Sequence, residues 1–181
     1  LAASSIIFRL EQASHSGTSF DHWGVDDLVL NTVDNTAPTI TSTAVAADNS
    51  TISVTFSEAV YTATGANTAL VVGDFALSLS GGQATLSSAT PSSIAASSNT
   101  YTLGLSISGT PNGSEVITVV PADSTAIYDA ADNAASTTQS NNTVNLNDKT
   151  VAGTPTGLTA VAFYGGAQLN WDAVSNVAKY Y

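Results

Sequence analysis

Between Asp34 and Asp148, short apolar runs alternate with clusters of Gly, Ser, Asn and Asp, and no other feature constrains the fold as tightly. Ile52, Val54 and Phe56 recur at every second residue. So do Phe75, Leu77 and Leu79, and again Tyr101, Leu103, Leu105 and Ile107. A period of two places such side chains on one face of a strand. Helical periodicity is not sustained, and only Ala130–Ala135 offers a single helical turn. Seven strands are predicted: Thr39–Ala46, Thr51–Phe56, Asp74–Leu79, Gln83–Ser88, Thr100–Ile107, Glu115–Val120 and Asn142–Leu146. Gly81-Gly82 and Pro111-Asn112-Gly113 turn the chain between them. Pro38 holds Ala37 extended ahead of the first strand. Short, regularly spaced strands with turn signals between them predict an all-β sandwich.

Composition narrows the setting. Hydrophobic residues are 43% of the chain but aromatic ones only 7%, which suits a thin core of small side chains and is too apolar for disorder. Three basic residues stand against fourteen acidic ones, for a net charge of -11. Such a chain repels phosphate backbones, so nucleic acid is not an expected partner. Divalent cations are its natural counter-ions, and the acidic surface fits an extracellular or cell-surface location. Without Cys there is neither a disulfide frame nor a thiolate metal site. The longest apolar runs fall short of about 18 residues, so no membrane insertion is expected from this segment. The chain starts at Leu1 and lacks Met; the expectation is an internal segment of a longer chain.

The flanks read differently from the centre. Residues 1–33 carry two strand-like runs, Ser5–Leu10 and Val25–Leu30, around a polar loop. Two strands cannot bury a core alone. Phe8-Arg9-Leu10, then His15-Ser16-Gly17-Thr18, then Asp21-His22-Trp23-Gly24-Val25-Asp26 resemble the closing hairpin of a reelin-type or MAM-type jelly roll. In the centre, TFSEAV, GDF and YDAADNAA resemble bacterial Ig-like domains that occur in tandem in giant surface proteins. Asp132 stands where that family commonly has Gly. After the linker Lys149–Thr154, Leu158, Val161, Leu169, Trp171 and Tyr180 fall at the first core positions of a fibronectin type III domain, which this stretch resembles. The expected organisation is therefore a jelly-roll end over 1–33, an Ig-like sandwich over 34–148, and a fibronectin type III beginning over 149–181.

Little in the sequence suggests catalysis. His15, His22, Ser16 and Asp21 share one loop, but neither a nucleophile turn nor an oxyanion hole accompanies them. Metal binding has more support. Running the strands alternately up and down places Asp34, Glu58 and the Asp129–Asn133 loop, with Asp132 and Asn133, at one pole. Several carboxylate and carbonyl oxygens together suit Ca²⁺, which takes six to eight hard oxygen ligands. The competing reading is that Glu58 and Asp129 cap turns by accepting backbone N–H bonds. Asp26 is a further metal candidate, as the jelly-roll resemblance implies, or else an ion-pair partner of Arg9. Trp23 and Trp171 are either core residues or platforms for glycans.

Three functions are compatible with these readings. The first is a non-enzymatic structural or adhesive module of a large secreted protein, stiffened by calcium, whose partners are other domains of the same chain. The second is a filament or sheet in which neighbouring copies complete the partial domains. The third is an accessory region of a secreted hydrolase.

Overall fold

The computed structural model describes residues 33–174. The chain divides into two compact units, Leu1–Val33 and Asp34–Tyr181. The predicted jelly-roll end, with His15, His22, Trp23 and Asp26, lies outside the described residues, as does Tyr180.

The described residues are all-β, with eleven strands: β1 (Ile40–Val45), β2 (Thr51–Phe56), β3 (Phe75–Ser80), β4 (Thr85–Leu86), β5 (Ile94–Ser97), β6 (Thr100–Gly104), β7 (Ile107–Ser108), β8 (Val116–Pro121), β9 (Thr143–Asn145), β10 (Thr159–Phe163) and β11 (Gly166–Asn170). One sheet has the order β1-β2-β6-β5 and a second has β3-β8-β9, all antiparallel. A small ribbon, β4-β7, lies beside them in sequence, and β10-β11 form a hairpin. Counting seven main strands, the orders are first-second-fifth-fourth and third-sixth-seventh, as in a constant-type immunoglobulin sandwich.

The inward faces follow from the period of two. Ile52, Val54 and Phe56 on β2, Leu103 on β6, and Ile117 and Val119 on β8 are at most 2% exposed. Phe56, Phe75 and Tyr101 join the sheets, with ring centroids 5.9–6.4 Å apart and Phe56 edge-on to Tyr101. The Tyr101 hydroxyl donates to the Val60 carbonyl at 3.2 Å, so the core's phenol is not left without an acceptor.

Three predicted elements are corrected. Gln83–Ser88 is not the strand beside β6; only Thr85–Leu86 is extended, and it pairs with β7. β6 lies between β2 and Ile94–Ser97. That strand is a mostly exposed edge of Ile-Ala-Ala-Ser, so its small residues carry no apolar alternation. The predicted strand Thr100–Ile107 ends at Gly104. Gly104 exchanges bonds with Ser92 and Ser93 and the Leu105 N–H still bonds the Ser50 carbonyl ahead of β2, but from Ser106 the chain pairs with β4, its carbonyl accepting the Ser87 N–H. Ala130–Ala135 is a turn and an isolated Tyr128–Ala134 bridge, not a helical turn. Asp132 there has φ +67, a left-handed conformation incompatible with helix continuation.

The chain enters the sandwich at one end and leaves at the other. Ile40 pairs with Phe56 at the entry, while the β1–β2 turn lies past the Val45–Ile52 pair. Buried Asn49 in that turn clasps the exit segment. Its Nδ2 donates to the Asn147 carbonyl at 2.8 Å, and its Oδ1 accepts from the Asn147 N–H at 2.9 Å and Nδ2 at 3.0 Å. Asn49 also holds φ +62, which Asn tolerates better than Ala. Asn49→Ala is expected to cost about 1–2 kcal/mol from lost bonds and backbone strain. Urea denaturation checks this, with Asn49→Gly recovering only the strain.

The β10-β11 hairpin has one apolar face. Its register puts Ala160 opposite Leu169 and Ala162 opposite Ala167 on that face. Val161 is on the other face. Leu158, Val161 and Leu169 are all more than half exposed, and Trp171 is 40% exposed. Leu158, Val161 and Leu169, expected to be fibronectin-type core positions, are thus mostly exposed.

Candidate metal centre

The entry end carries the most concentrated charge among the described residues. Three pieces of chain build it. Asp34 precedes β1 and is oriented by a short turn, its Oδ1 accepting the Thr36 N–H at 2.9 Å. Glu58 follows β2 by two residues. Its position is set where the Ser57 N–H bonds the Thr39 carbonyl at 2.8 Å and the Thr39 N–H bonds Ser57 Oγ at 3.1 Å. Asp129 comes from the long β8–β9 connection. Tyr61 and Tyr128 exchange backbone bonds of 2.7 and 2.8 Å, tying that connection to the loop that follows β2.

One carboxylate oxygen from each of Asp34, Glu58 and Asp129 lies within 4.8 Å of the others. Asp129 is fully buried, Glu58 half-buried and Asp34 exposed. Asp129 organises its own loop: Oδ1 accepts the N–H groups of Ala131 and Asn133 at 2.8 Å each, and Oδ2 accepts Asn133 Nδ2 at 2.8 Å. Burial works against its charge, but the Asn133 side chain and the two backbone N–H groups outweigh it and hold the carboxyl below its usual range. The capping reading therefore describes Asp129. Glu58 is in the opposite situation. Burial, then Asp129, then Asp34 push its carboxyl up, with only Ser57 working against them.

Asn133 braces the group. Its Nδ2 also donates to the Asp34 carbonyl at 3.1 Å, so its amide nitrogen points at the cluster. Asp132 does not join the three carboxylates; its Oδ1 accepts the Gly65 N–H at 2.6 Å. Its φ of +67 explains how Asp stands at a turn suited to Gly, because Asp visits this region more readily than most residues.

The donor set tests well against a hard cation. Oxygens bound to one Ca²⁺ at 2.3–2.6 Å can be separated by up to about 5 Å, and these three fall inside that limit. Each carboxylate oxygen has two lone pairs, so Asp34 Oδ1 and Asp129 Oδ2, which accept one N–H bond each, retain capacity, while Asp129 Oδ1 already accepts two. Three carboxylates at this separation repel one another, and a divalent ion removes that repulsion.

A second buried carboxylate went unmarked in the sequence. Glu115 has no exposed surface. Its Oε1 accepts the N–H groups of Gln83 at 2.7 Å, Ala84 at 3.0 Å and Asn112 at 3.2 Å. Oε2 accepts those of Asn112 at 3.0 Å and Gly113 at 3.1 Å. Burial opposes its charge, but the backbone N–H bonds prevail and hold its pKa at about 2. A signal was available: Glu115 shares parity with buried Ile117 and Val119, and a carboxylate on an inward face needs hydrogen-bond partners. Glu115 is a tie between two turns and offers no open coordination site.

Compared with known proteins, the chain matches no family model, no curated protein and no solved structure.

Proposed function

We propose that this chain is a non-enzymatic structural and adhesive segment of a large secreted or cell-surface protein, in which the sandwich acts as an Ig-like spacer stiffened by calcium at its entry. The observation that carries this reading is the polarity of the sandwich. The chain enters beside Asp34, Glu58 and Asp129 and leaves at the opposite end through the Asn49–Asn147 clasp. A domain threaded end to end in this way sets a fixed length along a chain. An ion held by Asp34 from the incoming segment and by Glu58 and Asp129 from the sandwich would restrain the entry, much as Asn49 restrains the exit. Other domains of the same chain are its proposed partners. The apolar face of the β10-β11 hairpin favours further chain packing there, because a two-stranded ribbon is not independently stable.

Calorimetric melting of the full chain in millimolar calcium and in EDTA tests the metal. The sandwich transition is expected to rise in calcium. Coincident transitions would remove calcium from the reading and leave the spacer role to be judged by shape in solution.

A further inference from the structure

Asn112-Gly113 is the one Asn-Gly pair in the chain. Such pairs are chemically labile: the glycine nitrogen, unhindered by a side chain, attacks the asparagine side-chain carbonyl. We propose that Asn112-Gly113 is a self-modification site, held closed in the folded protein by the Glu115 carboxylate.

The reaction needs no added reagent except water. The Gly113 nitrogen forms a bond to Asn112 Cγ, the Cγ–Nδ2 bond breaks, and ammonia leaves with the proton from Gly113. Water then opens the resulting succinimide, giving an aspartyl or isoaspartyl linkage at position 112. The attacking nitrogen must lose its proton, so anything that holds the proton or disfavours negative charge on nitrogen slows the step.

Glu115 does both. Its Oε2 accepts the Gly113 N–H at 3.1 Å and its two oxygens share the Asn112 N–H. The backbone on both sides of the attacking atom is therefore tied to one anion. The asparagine side chain is held as well, with Asn112 Oδ1 accepting the Ser114 N–H at 3.0 Å. The labile pair persists because the turn needs it. Gly113 has φ +82, and a Cβ there would lie 3.4 Å from that of Asp148, so a side chain would be strained in this position. Opening the pair has a structural consequence. A new carboxylate at position 112 would sit beside Glu115, and an isoaspartyl linkage would lengthen the loop backbone. Either loosens the carboxylate that also holds Gln83 and Ala84.

The test is peptide mass mapping of the full chain during incubation at mildly alkaline pH, scoring the gain of one mass unit at position 112. Conversion in the folded wild type is expected to be about tenfold slower than in wild type unfolded in urea. Folded Glu115→Gln is expected to convert several-fold faster than folded wild type. Val54→Ala, compared at a temperature equally far below its own melting point, should not. Equal conversion in folded and unfolded wild type would overturn the proposal. So would equal acceleration by both variants, because protection would then come from global stability and not from Glu115.

Discussion

Glu115→Ala is expected to destabilise the sandwich by about 3–4 kcal/mol, a large fraction of the stability of a domain this size. The carboxylate gathers four backbone N–H groups, from Gln83, Ala84, Asn112 and Gly113, onto two oxygens. These belong to the turn after β3 and the turn before β8, so one side chain ties the two loops at the exit end. Truncation leaves those donors to find water in a place the fold does not open to it. Gly82 shows how closely the loop wraps the acid, because a Cβ there would fall on the Glu115 carboxyl. Glu115→Gln keeps one acceptor but turns an amide toward donors, and about half the loss is expected. Urea denaturation of the three proteins checks the order wild type, Gln, Ala.

Acid gives the same residue a second signature. The folded value of about 2 lies below the ordinary 4.5, so the unfolded chain takes up a proton first as pH falls. Stability from Glu115 is full above about 4.5 and is lost as pH drops toward 2. Asp48, Asp123, Asp129 and Asp148 are also held low, so wild type is expected to lose stability in acid from several sources. The Glu115 share is the difference in acid slope between wild type and Glu115→Gln. Parallel slopes would mean that its bonds do not favour the charged form.

How much of this was legible depended on which residues carry a pattern. β2 and β3 were readable because one face of each is packed by Val, Ile, Leu or Phe while the other is small or polar, and β8 because its run is rich in β-branched residues between turn signals. β5 was not, because an edge strand of Ile-Ala-Ala-Ser has little to bury. The split of one predicted strand into β6 and β7 was hidden because Leu105 and Ile107 continue the alternation after the pairing has changed. The entry cluster was legible for a topological reason: alternating strands bring Asp34, Glu58 and Asp129 to one end whatever the side-chain details. Asp132 was not separable from that group by sequence, since its departure depends on a single left-handed residue. Glu115 could have been found by parity alone, since the predicted strand Glu115–Val120 sets it on the same face as Ile117 and Val119.

The entry cluster yields its clearest result in a crossover. Without metal, Glu58→Gln is expected to be more stable than wild type near neutral pH. Burial, Asp129 and Asp34 all oppose the Glu58 charge and raise its carboxyl above the ordinary value. A raised acid is protonated more readily folded than unfolded, so its contribution falls as pH climbs from 4.5 through the folded value. Glutamine is free of that loss. With calcium bound, the order should invert, because the same charge becomes a ligand. Calcium at about a hundred times its dissociation constant would stabilise wild type by about 2.7 kcal/mol, on the order of a 10 °C rise in melting temperature. Glu58→Gln should show only a small part of that rise. Asp129→Asn is a poorer probe, since Asp129 also holds Ala131 and Asn133, and its loss would lower stability with or without metal. Calorimetry of wild type and Glu58→Gln, each in EDTA and in calcium, decides the matter. A variant less stable than wild type in both conditions would make Glu58 a structural residue. A variant that gains as much from calcium as wild type would place any bound ion elsewhere. Only inversion ties the repulsion among the three carboxylates to the ion that relieves it.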